Sequence, residues 1–201
     1  MNLIMKKLIK FSLVCLIFLV PIEKSFSMGP DIFIQSTVNR ASATLNGNFT
    51  KEEKIKKLKE IAKETVDIKG IGFYTLGKHR KNLTDEKIAK YLNLFEKYFL
   101  KTFSDRLSEY TNPKVRVDTS EKLNENYTIV SSVLISTSER PEVKIDWRVY
   151  TKDPQNPLIR DLIIEGLSLA RTQKEEFASI IESDNQNFNK LFSTLKEFIA
   201  K

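Results

Sequence analysis

Few side chains in this chain are able to do covalent chemistry. Among 201 residues there is one His and one Cys, which removes most disulfide, thiol and Cys/His metal sites at the outset. His79 stands among Lys78, Arg80 and Lys81. A general base needs an orienting partner and a nucleophile within reach, and no motif supplies either. His79 therefore reads as an exposed loop residue ahead of a helix. Any two of the 26 Asp and Glu residues could meet as an acid–base pair, but nothing singles out a pair. Gly70-Ile71-Gly72 is too short for a phosphate-cradling loop and lacks the Lys-Ser/Thr that would follow. Metal-ligand spacing is absent. The sequence points away from catalysis.

What it has in quantity is apolar bulk. Hydrophobic residues make up 41% and charged residues 29%, with 13 Phe, a globular balance with a sizeable core. The net charge is +7. The first residues read as an address: Lys6, Lys7 and Lys10 precede an apolar run from Phe11 to Val20, then Pro21 and Ser25-Phe26-Ser27. That is the layout of a secretory signal peptide over residues 1–27, with an uncleaved N-terminal anchor as the alternative. Cys15 lies inside the apolar run, where lipidation is not expected. Removal of residues 1–27 takes away Cys15, four lysines and Glu23, leaving a cysteine-free chain of charge +4. Export argues against a nucleic-acid partner; an anionic membrane, an acidic protein or plain solvent remains open for the basic surface.

Residues 28–201 read as one domain. Ile34, Val38, Ala41 and Leu45 recur at helical spacing until Asn46-Gly47-Asn48. Thr50 and Glu53 form a capping box for a helix with Ile55, Leu58, Ile61 and Ala62 on one face. Residues 67–77 are apolar, but Gly70 and Gly72 leave their helicity open. Thr84-Asp85-Glu86 starts a long helix to about Tyr110, closed by Asn112-Pro113.

The period then changes to two. Val115 and Val117 alternate with charges, residues 127–136 are β-branched, and Val143, Ile145, Trp147 and Val149 alternate with polar neighbours. Turns are expected at 124–126, 140–142 and 152–157, and a last strand from Ile159 to about Leu169, with a bulge at Gly166 that keeps Leu162, Ile164, Leu167 and Leu169 on one face. A second capping-box spacing, Thr172 and Glu175, precedes the final helical stripes. The fold class is α+β: a twisted antiparallel sheet of about four strands against several amphipathic helices. Whether the inward residues fill a solid core or enclose an apolar cavity is not decided by pattern, since both require the same residues.

Several motifs carry a resemblance. Asp67-Ile68, then Leu76-Gly77-Lys78-His79-Arg80-Lys81, then Phe95, Tyr98, Phe99 and Tyr110 form one stretch. Asp161-Leu162-Ile163-Ile164-Glu165-Gly166-Leu167-Ser168, followed by Phe177, forms the other. Together they resemble the MlaC / toluene-tolerance family of periplasmic phospholipid-binding proteins. The sequence departs from the family pattern at Arg80, where an aromatic is usual, and at Lys174, where Arg is usual.

The resemblance implies an NTF2-like sheet with a helical part, enclosing an apolar cavity for acyl chains. It implies no enzyme activity and no cofactor. The implied ligand is a phospholipid, and the implied partners are an inner-membrane ABC transporter with an MlaD-type subunit and an outer-membrane MlaA-type lipoprotein. The protein is expected to work as a monomer in the periplasm. Lining residues expected from the sheet are Val117, Val133, Ile135, Val143, Ile145, Trp147 and Val149, with Leu162, Ile164, Leu167 and Leu169. From the helices they are Phe73, Leu76, Leu92, Phe95, Phe99 and Phe103. Asp161 and Glu165 are expected to be structural partners of Lys or Arg on the other face. A lipid hydrolase and a non-carrier adaptor are the competing functional readings.

Overall fold

The computed structural model describes residues 28–201 apart from 139, 184 and 186; the expected signal peptide and Cys15 lie outside the described residues. Helix α1 (Pro30–Asn46) opens the chain, with Pro in its first turn, where the missing N–H is harmless. Thr50 caps α2 (Lys51–Thr65): its hydroxyl accepts from the Glu53 N–H at 3.2 Å while Glu53 accepts from the Thr50 N–H at 2.8 Å. Both donors would otherwise be orphaned.

Residues 67–77 are helical after all. Asp67 caps α3 (Ile68–Leu76) by accepting from the Gly70 N–H at 2.8 Å. Gly72 serves contact rather than flexibility, since a Cβ there would lie 2.9 Å from the ring of Phe95. A 3₁₀ turn (Gly77–Asn82) follows, and Thr84 then caps α4 (Asp85–Ser108).

Four strands form a meander: β1 (Val115–Asn124), β2 (Tyr127–Leu134), β3 (Val143–Tyr150) and β4 (Leu158–Ile164). A two-residue β5 (Leu167–Ser168) completes a five-stranded antiparallel sheet in the order β1-β2-β3-β4-β5. The last strand thus stops earlier than the sequence suggests. Glu165 (φ 49°) and Gly166 (φ 81°) are both left-handed, the requirement of a tight hairpin turn rather than a bulge. The chain reverses there, and Leu169 begins α5 (Leu169–Glu182). The cap of α5 is Ser168, which accepts from the Arg171 N–H at 3.1 Å; Thr172 lies inside the helix. Helix α6 (Asn189–Ala200) ends the chain.

The architecture is α+β, as the pattern implies. Helix α1 packs on β1 and β2, α3 and α5 pack on β4, and the long α4 rests on α2, α3 and α6. Between these layers lies a core that includes Ile34, Leu76, Tyr91, Phe95, Val130, Val149, Phe177 and Leu191, all at most 1–2% exposed.

Candidate functional site

Strand parity assigns the inner face of the sheet. Directly opposed residues of antiparallel strands share a face. Val130 opposes Trp147, Trp147 opposes Leu162, and Ile145 opposes both Ser132 and Ile164. Val130 and Val149 belong to the buried core, so this face looks towards the helices. Val143, Ile145 and Trp147 share it with Val149, and Val117 joins through Ser132.

Burial along this face is graded. At one end Val130 and Val149 are fully buried and Ile159 is 3% exposed. Moving along β3 and β4, Trp147, Ile145, Val143, Leu162 and Ile164 are only half-buried, and Leu167, opposite Ile164, is 59% exposed. The same gradient runs along α4. Tyr91 and Phe95 are sealed, whereas Phe99 and Phe103, one and two turns later, keep part of their rings accessible. Those two rings stack at 5.9 Å with an interplanar angle of 8°. Leu92, Phe99, Phe103, Val117, Trp147 and Leu162 all border the core while remaining partly open. Apolar surface is therefore closed at one end of the interior and uncovered at the other.

The polar tip of Trp147 is neutralised locally. Its indole N–H donates to the Ser132 hydroxyl at 2.8 Å, and that hydroxyl donates to the Ile145 carbonyl at 3.0 Å. The ring is thus fixed against the sheet with no unpaired donor, a favourable arrangement for an apolar wall.

Other expected lining residues fall elsewhere. Val133 opposes Lys144 and Arg116 and so lies on the outer face; no local pattern within β2 marks its register against β3. Ile135 lies past the end of β2 and is 36% exposed, its N–H donating to the Lys114 carbonyl at 2.8 Å. Leu169 stands on the first turn of α5, 42% exposed. Leu76, Phe95 and Val149 are solid core. Phe73 lies under the Arg80 guanidinium, 4.3 Å from the ring centroid.

The outer-face acids do structural work. Asp161 is 4% exposed and accepts from the Ser168 hydroxyl at 2.6 Å and from the Ala170 N–H at 3.0 Å, with Arg148 at 3.7 Å. Glu165 accepts from the Lys144 N–H, a backbone group of the neighbouring strand rather than the charged side chain expected. These contacts explain the motif Asp161-x-x-x-Glu165-Gly166-x-Ser168 as a hairpin fused to a helix cap.

Asp67 is tied as closely. Besides capping α3, it takes two hydrogen-bonding contacts from Arg160, at 2.7 Å and 2.6 Å. Arg160 is the extra residue of a β4 bulge opposite Arg148/Val149. It lies 3.8 Å over the Tyr150 ring and donates to the Tyr127 hydroxyl at 2.8 Å.

His79 is buried, not exposed: only 5% of its surface is accessible. It meets Phe188 edge-on at 6.5 Å, and its Nε2 is 3.6 Å from Glu182, beyond hydrogen-bonding distance. Among the described residues its Nε2 has no hydrogen-bond partner. Among the described residues no cluster of three or more His, Cys, Asp or Glu could hold a metal, and no helix is long and apolar enough to cross a membrane.

Fold and site together define an α+β protein whose apolar interior is sealed at one end and accessible at the other. The chain belongs to the MlaC protein family, whose sequence model matches residues 35–197. A search of curated proteins finds no match. Among solved structures, the phospholipid-binding protein from Ralstonia solanacearum, determined in complex with a phospholipid at 1.53 Å resolution, is 22% identical with a TM-score of 0.70. The alignment covers 85% of this chain and 96% of that one, and at that identity it establishes a common fold.

Proposed function

We propose that this protein is a periplasmic phospholipid carrier that shuttles lipid between the outer and inner membranes and so maintains outer-membrane lipid asymmetry. The observation that carries the reading is the graded inner face. A sheet wall of Ile145, Trp147 and Leu162 and the helical Phe99 and Phe103 stay partly uncovered beside a fully packed core. Membership of the MlaC family and the bound phospholipid of the Ralstonia relative support it.

Physical necessity gives the mechanism. Two acyl chains carry on the order of 30 methylenes, and at ~0.8 kcal/mol each their exposure to water costs roughly 24 kcal/mol. Free lipid cannot cross an aqueous gap at a useful rate against that figure. An apolar interior about as favourable as the bilayer brings the transfer close to balance. The carrier itself then needs no nucleotide and no reaction chemistry. Direction is set by the docking partners, an MlaD-type subunit of an ABC transporter on one side and an MlaA-type lipoprotein on the other. Aliphatic and aromatic walls make few directional contacts, so selectivity for head group is weak.

Organic-solvent extraction of the purified protein, with native mass spectrometry in parallel, tests this. Intact phospholipid bound to the folded chain is the expected result. A protein that binds its partners yet carries no lipid is an adaptor, and one that releases lysophospholipid and fatty acid is a hydrolase; either result overturns the proposal.

A further inference from the structure

The surface formed by α3, the 3₁₀ turn and the first half of α5 gathers three cation–ring contacts close together. Helix α3 turns two aromatics outward: Phe73 is half-buried and Tyr74 is 42% exposed. Three cations lie on them. The Arg80 guanidinium is 4.3 Å from the Phe73 centroid, Lys69 Nζ is 6.0 Å from the same ring, and Lys174 Nζ is 5.0 Å from the Tyr74 ring.

Their charges are not neutralised. None of Lys69, Arg80 and Lys174 has a carboxylate partner among the described residues; the neighbouring Lys78 does, with Glu182 at 3.1 Å. Asp67, on the same helix, is committed to Arg160. The cations are instead held at fixed positions by aromatic faces, which cost no charge. Lys81, in the same 3₁₀ turn as Arg80, is also exposed.

We propose that this face docks the protein on an anionic membrane surface. The chemistry fits that occupant. Tyr and Phe rings are at home in the head-group layer, Lys and Arg beside them reach lipid phosphates, and each such cation contributes about 1 kcal/mol near an anionic bilayer. The proposal deepens the carrier reading, on which it rests for its purpose: it states how the carrier meets its membranes, whereas the graded inner face concerns what it carries.

The test is sedimentation of the purified protein with vesicles of phosphatidylethanolamine and phosphatidylglycerol, against vesicles of phosphatidylcholine alone. The wild type is expected to bind the anionic vesicles and to leave them as salt approaches about 1 M, where the Debye length falls to about 3 Å. Lys69→Gln/Arg80→Gln/Lys174→Gln is expected to bind about a hundredfold more weakly, about fivefold per cation. The control is Lys51→Gln/Lys56→Gln/Lys59→Gln, the same charge change on α2, whose lysines share the helix with Glu52, Glu53, Glu60 and Glu64. It is expected to bind within about threefold of wild type.

Equal losses in the two triple variants overturn the proposal, as does equal binding to both vesicle types. A wild type that binds neither overturns it and hands the face to an acidic protein. If the patch variant does not fold, Lys69→Gln alone and the salt titration decide: undiminished binding in that variant or binding that survives about 1 M salt overturns the proposal. Native mass spectra of the same samples report bound phospholipid separately. Occupancy is expected to be unchanged in the patch variant, so failure of docking and failure of the carrier reading are told apart.

Discussion

The Asp161 carboxylate reaches across the Glu165–Gly166 turn to accept a 2.6 Å hydrogen bond from the Ser168 hydroxyl. The same carboxylate takes the Ala170 N–H, while Ser168 caps the Arg171 N–H. One buried acid thereby holds both the hairpin and the first turn of α5. Asp161→Ala leaves two donors and the nearby Arg148 uncompensated, and is expected to cost about 3 kcal/mol in urea denaturation. Ser168→Ala is expected to cost about 1 kcal/mol. Losses of equal size would show that the hydroxyl, not the carboxylate, organises the junction.

Gly166 separates backbone strain from crowding. A Cβ at this position would meet nothing within 4 Å, yet its φ is +81°. Gly166→Ala is therefore expected to destabilise by about 1–2 kcal/mol through conformation alone. A denaturation midpoint identical to wild type would count against the left-handed turn.

The inner and outer faces of β3 can be told apart by adjacent substitutions. Ile145→Glu places a carboxylate on the half-buried inner face, and Lys144→Glu places one on the exposed outer face. An unpaired charge against apolar chains is costly. The first variant is expected to lose most of its co-purified phospholipid in native mass spectra and the second to retain it. Equal retention would remove β3 from the lipid site.

Tyr91 makes alkaline pH informative. Burial pushes its phenol well above the usual value of 10, against a smaller lowering by the Thr75 hydrogen bond at 2.7 Å. The folded state therefore holds this proton more tightly than the unfolded state does. The stabilisation is fully present below the unfolded pKa of about 10 and is lost as pH rises through the folded value. Tyr91→Phe is expected to be about 1 kcal/mol less stable at pH 8, having lost the hydrogen bond. Its denaturation midpoint should then fall less steeply than wild type above pH ~10. Parallel pH profiles for the two proteins would exclude a role for this phenol.

Much of the frame is legible in the sequence because its signals are local. The Thr50/Glu53 box and the Thr84 start mark helices correctly, and the alternation from Val143 to Val149 marks both a strand and its inner face. What escapes is what depends on a partner far along the chain. The placement of Val133 follows from its pairing with Lys144, which no period within β2 reveals. Leu169 is lost to the strand because Glu165, a residue without glycine's freedom, takes a left-handed φ of 49°. Gly72 reads as a helix breaker until Phe95 is seen against it. His79, flanked by cations, gives no hint that Phe188 lies against it.

The order in which the strands lie side by side bears on how the interior can adapt. Every ladder of the sheet joins strands that are neighbours along the chain, and the closest backbone packing of α4 is with other helices. Sliding that helix outward breaks no main-chain ladder, but it stretches the side-chain hydrogen bonds of Tyr91 to Thr75 and of Tyr98 to Gln173. On the proposed carrier reading, a longer or kinked fatty tail would be met by movement of this helical wall, while the woven half of the molecule keeps its shape.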